Sequence, residues 1–104
     1  MENNFNNSIR YTLDVISGRW KIVILWNIIR FHIIRHGELK NCMPGISHKL
    51  LIQELKELVN DGIICRKKYF QIPPKVEYSL TEKGISLIPL VESINAWGQN
   101  NRPF

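Results

Sequence analysis

A chain of 104 residues supports one modest hydrophobic core and not two, so an apolar helix left over at either end must find cover on another chain. With 14 Lys and Arg against 9 Asp and Glu the net charge is +5, a balance suited to a polyanionic partner if the basic groups share a surface. The longest apolar stretch, residues 22–29, is interrupted by Asn27 and is far shorter than the roughly 20 residues of a bilayer span; Met1 to Asn4 form no basic leader, so a cytoplasmic protein with no membrane partner is expected.

The polar opening MENNFNN is expected to fray, followed by a short helical turn over residues 12–17 that Gly18 stops. Residues 20–29 are apolar at nearly every position, which predicts a helix covered on several sides, with Trp20 and Trp26 in the core; a buried strand has the same local pattern, and length favours the helix. Arg35, His36 and Gly37 lead into a short element over residues 38–41, ended by Met43-Pro44-Gly45. Ser47 is then placed to cap a helix that runs to Asn60 and stops at Asn60-Asp61-Gly62. Leu51, Leu55 and Leu58 share its core face, while Lys49, Gln53 and Lys56 lie opposite with His48 beside them; Glu54 and Glu57 read as surface charges next to Lys56.

Residues 63–69 and 76–80 read as strands of an antiparallel hairpin whose loop contains Pro73-Pro74, neither of which can donate to a ladder. Thr81 is expected to cap one last helix through Trp97, bent by Pro89 in its interior. Helix, short helix, turn, amphipathic helix, hairpin and long helix together predict an α+β fold: a winged helix-turn-helix with a C-terminal dimerisation helix, spanning residues 1–104 as one domain.

In that fold the helix over residues 47–60 is the candidate recognition helix for double-stranded DNA. Its first turn reaches base edges most easily: Gln53 offers an amide donor and acceptor suited to adenine, Lys49 a donor for guanine or phosphate, and Ile52 an apolar contact for a thymine methyl or partial packing. Ser47 and its neighbouring amides could hold a phosphate, and His48 and Lys56 complete the outward face. Arg66, Lys67, Lys68 and Lys75 form a basic hairpin suited to phosphate or minor-groove contact, with alternation sending Arg66 and Lys68 to one side and Lys67 to the other. Tyr69, Phe70 and Ile72 are expected to pack or shape the wing; Arg30, Arg35 and Lys40 add backbone contacts. In the last helix Ile85, Ile88, Leu90, Val91, Ile94 and Trp97 offer more apolar surface than so small a domain covers internally, which predicts a homodimer with an interface segment near residues 81–100.

Catalysis is not expected: Ser47 and His48 are adjacent and do not face each other, and the chain has no glycine-rich phosphate loop and no HExxH pattern. Cys42 and Cys65 are too few for a disulfide scaffold and too far apart for a CxxC pair, and with 3 scattered histidines neither a metal site nor a cofactor is expected; each cysteine reads as inert and partly buried.

The segments LDVISGRWKIVILWNI, PGISHKLLIQELKELVNDGII and IPPKVEYSLTEKG, in this order and spacing, resemble the HxlR-type transcriptional regulators, a winged helix-turn-helix family related to the MarR regulators, across residues 11–97. Gly18 and Trp20 match the family's glycine and tryptophan at the central helix, Pro44-Gly45-Ile46-Ser47 its turn, and the run from Pro73 to Thr81 its wing motif; His48 stands where glutamine or a similar residue is usual. The resemblance implies a homodimer on operator DNA, with residues 47–60 as recognition helix, 66–75 as wing, and the N-terminal segment, near residues 5–17, together with the last helix as the interface. One departure stands out. Many members carry a Cys-Pro sensor pair before the first helix, where this chain has Asn7 and Ser8, so the resemblance implies DNA binding without a thiol switch at that position. Two alternatives stay open from the residues: a winged-helix module that binds protein instead of DNA, and a regulator gated by a small-molecule effector in the dimer cleft.

Overall fold

The computed structural model describes residues 7–104, which run α1 (Asn7–Ile16), α2 (Lys21–Phe31), β1 (Ile33–Arg35), α3 (His36–Asn41), α4 (His48–Asn60), β2 (Ile64–Tyr69), β3 (Lys75–Leu80), α5 (Glu82–Ile85) and α6 (Ile88–Asn101). The near-continuous apolar run becomes α2, whose Ile24, Leu25 and Ile28 are buried at the centre of the molecule. Leu51, Leu55 and Leu58 of α4 meet them as the spacing predicts, and Ile34, Leu39, Met43, Ile46, Ile63, Ile64 and Tyr78 complete the core. Trp20 and Trp26 are half-buried against it. Asn27, the one polar break in α2, is buried, and its Nδ2 donates to the Val23 carbonyl at 2.9 Å, so the amide nitrogen is not left unpaired.

Three antiparallel strands lie in the order β1-β3-β2. β1, which the sequence does not predict, is only three residues long, and its alternation of exposed Ile33, buried Ile34 and exposed Arg35 is too short to register as a period. It is reached through His32, whose φ of 66° reverses the chain at the end of α2.

Both ends of the chain differ from expectation. α1 begins at Asn7 and has 10 residues, longer than the predicted turn at residues 12–17, with Thr12 Oγ1 donating to the Ser8 carbonyl and Val15 anchoring it in the core. Residues 1–6, on which most of the fraying expectation fell, lie outside the described residues, as do residues 5 and 6 of the predicted interface segment. At the other end the single bent helix is two helices. Thr81 does cap, but it caps α5, its Oγ1 accepting from the Gly84 amide at 3.0 Å. Pro89 sits in the first turn of α6, where its missing N–H is not needed, so it starts a helix instead of bending one.

The short α5 docks hard against the start of the hairpin. Thr81 Oγ1 lies 2.6 Å from the Gly62 carbonyl oxygen, its backbone N–H donates to Ile63, and a Cβ on Gly84 would stand 2.1 Å from the Ile63 carbonyl oxygen. Because the obstacle is backbone, it cannot swing aside. Gly84→Ala is therefore expected to destabilise the fold by about 2 kcal/mol, read as a lower urea midpoint at unchanged slope. An unchanged midpoint would show that the α5 approach is looser than this geometry.

Candidate nucleic-acid interface

α3, the turn through Gly45 (φ 94°) and α4 make a helix-turn-helix. The Arg35 amide donates to Glu38 Oε1 at 2.9 Å at the head of α3, and Ser47 Oγ accepts from the Leu50 amide at 3.0 Å at the head of α4. With its three leucines turned inward, α4 leaves His48, Lys49, Ile52, Gln53 and Lys56 exposed, a continuous outward face of the length a major groove accepts.

That face is tied to the core by an ion-pair network. Lys21 opens α2, where the positive end of the helix dipole disfavours a cation. Its side chain is nevertheless buried, with 6 % exposure, because Nζ donates to Glu57 Oε1 at 2.5 Å and lies 3.7 Å from Glu54 Oε2. Burial alone pulls the Lys21 pKa down, but the Glu57 hydrogen bond and the charges of Glu54, Glu57 and Asp61 outweigh it and raise it above the usual lysine value. Glu57 is held below the usual carboxylate range by its hydrogen bonds from Lys21 and Gln53 and by the Lys21 charge. The two glutamates are thus half-buried partners of Lys21, a correction to their reading as surface charges beside Lys56.

Glu57 Oε2 also accepts from Gln53 Nε2 at 2.6 Å. An ionised carboxylate only accepts, so the Gln53 amide turns its nitrogen inward toward Glu57. The outermost side chain of this relay is the one suited to reading adenine, yet its orientation starts at a lysine in the core.

Between α4 and β2 runs a groove of about 290 Å³ lined by Ile52, Leu55, Lys56, Val59, Arg66 and Tyr78. At its upper end the His36 ring stands edge-on to His48, with 5.3 Å between centroids, and 6.2 Å from the Tyr78 ring. His36 Nε2 is buried with no hydrogen-bond partner, and burial, then the His48 and Arg66 charges, push its pKa below the ordinary histidine value. His36 is therefore a neutral packing group between α3 and α4.

Strand register sorts the basic wing residues. Arg66 pairs with Tyr78 and Lys68 with Val76 on the face that carries the buried Ile64 and looks toward α4. Lys67 and Lys75 take the other face and bracket the Tyr69 ring at 4.8 and 4.0 Å from its centre; the Tyr69 hydroxyl donates to Glu77 Oε1 at 2.9 Å, and Lys75 Nζ lies 3.6 Å from Glu77 Oε2. Tyr69 shapes the wing as expected. Phe70 and Ile72 do not: they are 92 % and 101 % exposed, because the loop after β2 carries them past the last strand pair, where there is nothing to pack on.

Other site residues spread out. Arg35 lies across from Glu77 at the far edge of the sheet, and Lys40 is half-buried on α3. Cys42 is half-buried but Cys65 is exposed, because it shares the open face of β2 with Lys67. Among the six apolar residues assigned to an interface, Ile85, Leu90, Ile94 and Trp97 are exposed, Trp97 to 70 %, and Ile88 is half-buried. Val91 is the correction: it is buried in the core, since it lies on the side of α6 that packs on α2. Exposed Ile9 and Leu13 of α1, within the segment 5–17 assigned to an interface, join Leu90 along a shallow apolar groove; the helix that carries Ile9 was not expected, since only residues 12–17 read as helical. Lys21 was missed as well; the available signal was a cation in an otherwise apolar helix, which demands a partner.

Among the described residues no three metal-ligating side chains gather, and no helix is long and apolar enough to cross a membrane. A helix-turn-helix followed by a basic hairpin defines a winged helix-turn-helix protein. Residues 15–103 match the model of the HxlR-like helix-turn-helix family, and the chain belongs to that family. It is 50 % identical over 100 residues to the MalR protein of Fusobacterium mortiferum, covering 96 % of this chain and 94 % of that one. It is 47 % identical over 97 residues to the HTH-type transcriptional regulator YtcD of Bacillus subtilis (strain 168), covering 93 % of this chain and 76 % of YtcD. The solved structure of the redox regulator HypR in its oxidized form superimposes with a TM-score of 0.88 at 42 % identity, covering 93 % of this chain and 99 % of that one. The chain is a DNA-binding transcription regulator.

Proposed function

We propose that this regulator binds operator DNA sequence-specifically as a homodimer, the whole chain acting as one unit, with the outward face of α4 in the major groove and the β2–β3 hairpin as the wing. The observation that carries the reading is the convergence of His48, Lys49, Ile52, Gln53 and Lys56 with Arg66 and Lys68 on one side of the molecule. Exposed groups able to read base edges stand there beside cations able to neutralise phosphate. The apolar side chains of α1 and α6 supply the dimer surface, and a two-fold axis would present two recognition helices to two half-sites.

The test is selection from random duplex DNA at fixed near-physiological salt. A two-fold symmetric sequence is expected, its half-sites about 10 base pairs apart or a multiple of that. Recovery of no sequence, with binding that vanishes as salt rises, would overturn specificity. On the recovered sequence, Lys49→Ala or Gln53→Ala is expected to change base preference, whereas Arg66→Ala and Lys68→Ala, on the wing face turned toward α4, weaken binding to every sequence and lower the salt slope by about 1 for each phosphate no longer neutralised. Equal losses on specific and random DNA for all four variants would contradict that division of roles.

A further inference from the structure

The wing tip carries a feature that phosphate contact does not use. Phe70 and Ile72, two residues apart, leave their whole side chains in solvent, more completely than Trp97 or the apolar residues of α1. Neither contributes to the core, so folding gives no reason for apolar side chains here.

The tip is also held in place. Pro73 and Pro74 fix two successive φ angles, the Gln71 amide donates to the Tyr69 carbonyl at 3.1 Å, and Tyr69 is clamped by Glu77 and flanked by the Lys67 and Lys75 ammonium groups. Cations flank the apolar tip: Lys68 Nζ stands 5.4 Å from the centre of the Phe70 ring, and Lys67 and Lys75 sit on the Tyr69 ring at the last strand pair behind it. Glu77, the single acid between residues 64 and 80, is already engaged by Tyr69 and Lys75. An ordered apolar point with cations beside and behind it is complementary to an anionic surface with an apolar interior, and the stacked bases beneath the phosphates of a duplex are such a surface.

We propose that Phe70 and Ile72 form a wedge that enters the minor groove flanking the α4 contact, opens one base step and kinks the duplex. The proposal rests on the DNA-binding reading above and adds deformation to it. Opening a step has a sequence-dependent energy, lowest at flexible pyrimidine–purine steps, so each half-site acquires a preference at a position that α4 does not touch. In a two-fold dimer the two wings would kink the site at symmetric flanks.

The experiment uses a duplex carrying the sequence recovered by selection, with fluorophores at its two ends and 2-aminopurine placed in turn at each flanking step. The full-length protein is expected to shorten the end-to-end distance and raise 2-aminopurine emission at one step per flank. Phe70→Ser/Ile72→Ser is expected to lose both signals with an unchanged melting midpoint, since neither side chain packs on the fold. Its affinity is expected to fall about tenfold on the intact duplex and to recover on a duplex with a mismatch at that step, where unstacking is already done. The single Phe70→Ser variant, which leaves the residue before Pro73 untouched, should show the same trend. A complex of the unaltered protein with a straight duplex, or equal bending by the variant, overturns the wedge while leaving operator binding intact. A variant that changes only self-association in sedimentation, and not bending, overturns it in favour of a protein partner at the tip. If the unaltered protein binds no duplex, the DNA-binding reading fails first and takes the wedge with it.

Discussion

Lys21→Met is expected to lower the free energy of unfolding at neutral pH by about 3 kcal/mol, measured by urea titration at fixed protein concentration. Methionine fills nearly the same volume, so the loss reports the charge and not a cavity. What remains after the substitution is Glu54, whose side chain is only 12 % exposed, and Glu57 beside it, two carboxylates with no cation between them. The pH dependence gives a second reading. The Glu57 pKa is depressed, so its contribution is present above the ordinary value of 4.5 and is lost as pH falls through the lower folded value. The Lys21 pKa is raised, so its contribution is present below the ordinary value of 10.5 and is lost as pH climbs through the higher folded value. The difference between the native protein and Lys21→Met should therefore be flat across the neutral range and narrow at both extremes. A difference that stays constant down to strongly acidic pH would mean that packing, not the ion pairs, sets the loss.

The same network shows where a single sequence stops being informative. α4 was legible because its leucines repeat at helical spacing and Ser47 precedes them, so cap, core face and outward face followed from local rules. The hairpin was legible because its strands alternate and its loop holds two prolines. Lys21 pairs with a residue 36 positions away, and local spacing on α4 assigned Glu57 to Lys56 instead. Tertiary proximity decided it. Val91 failed for a related reason: a helix with apolar residues on several sides does not reveal which side meets its own core, and α2 claims the one that carries Val91. β1 failed on length, since three residues carry one buried position and no repeat. Phe70 and Ile72 failed because apolar residues in a short loop are expected to pack, and only the folded hairpin reveals a tip with nothing beneath it.

Ile94→Glu and Trp97→Ala are expected to convert the proposed dimer into a folded monomer, seen by sedimentation equilibrium across protein concentration. Leu90, Ile94 and Trp97 follow at four and three residues, so they share one exposed stripe of α6, and Ile9 and Leu13 of α1 continue it. Fully covering one such side chain is worth about 1.5–3 kcal/mol, and a two-fold axis applies each substitution twice. Trp97→Ala should then cost about 3–6 kcal/mol of association, which weakens dimerisation about 10²- to 10⁴-fold. Ile94→Glu adds a buried unpaired charge and should act more strongly. Neither residue belongs to the protomer core, so the thermal midpoint of the monomer should reflect the lost partner alone and no longer vary with concentration. On DNA the consequence differs from that of any α4 variant: a monomer keeps the half-site preference but loses the gain from binding two half-sites at once. Variants that stay dimeric would move the interface away from α6. Variants that become monomeric yet bind the full symmetric site as tightly as before would show that the two recognition helices do not need to be joined.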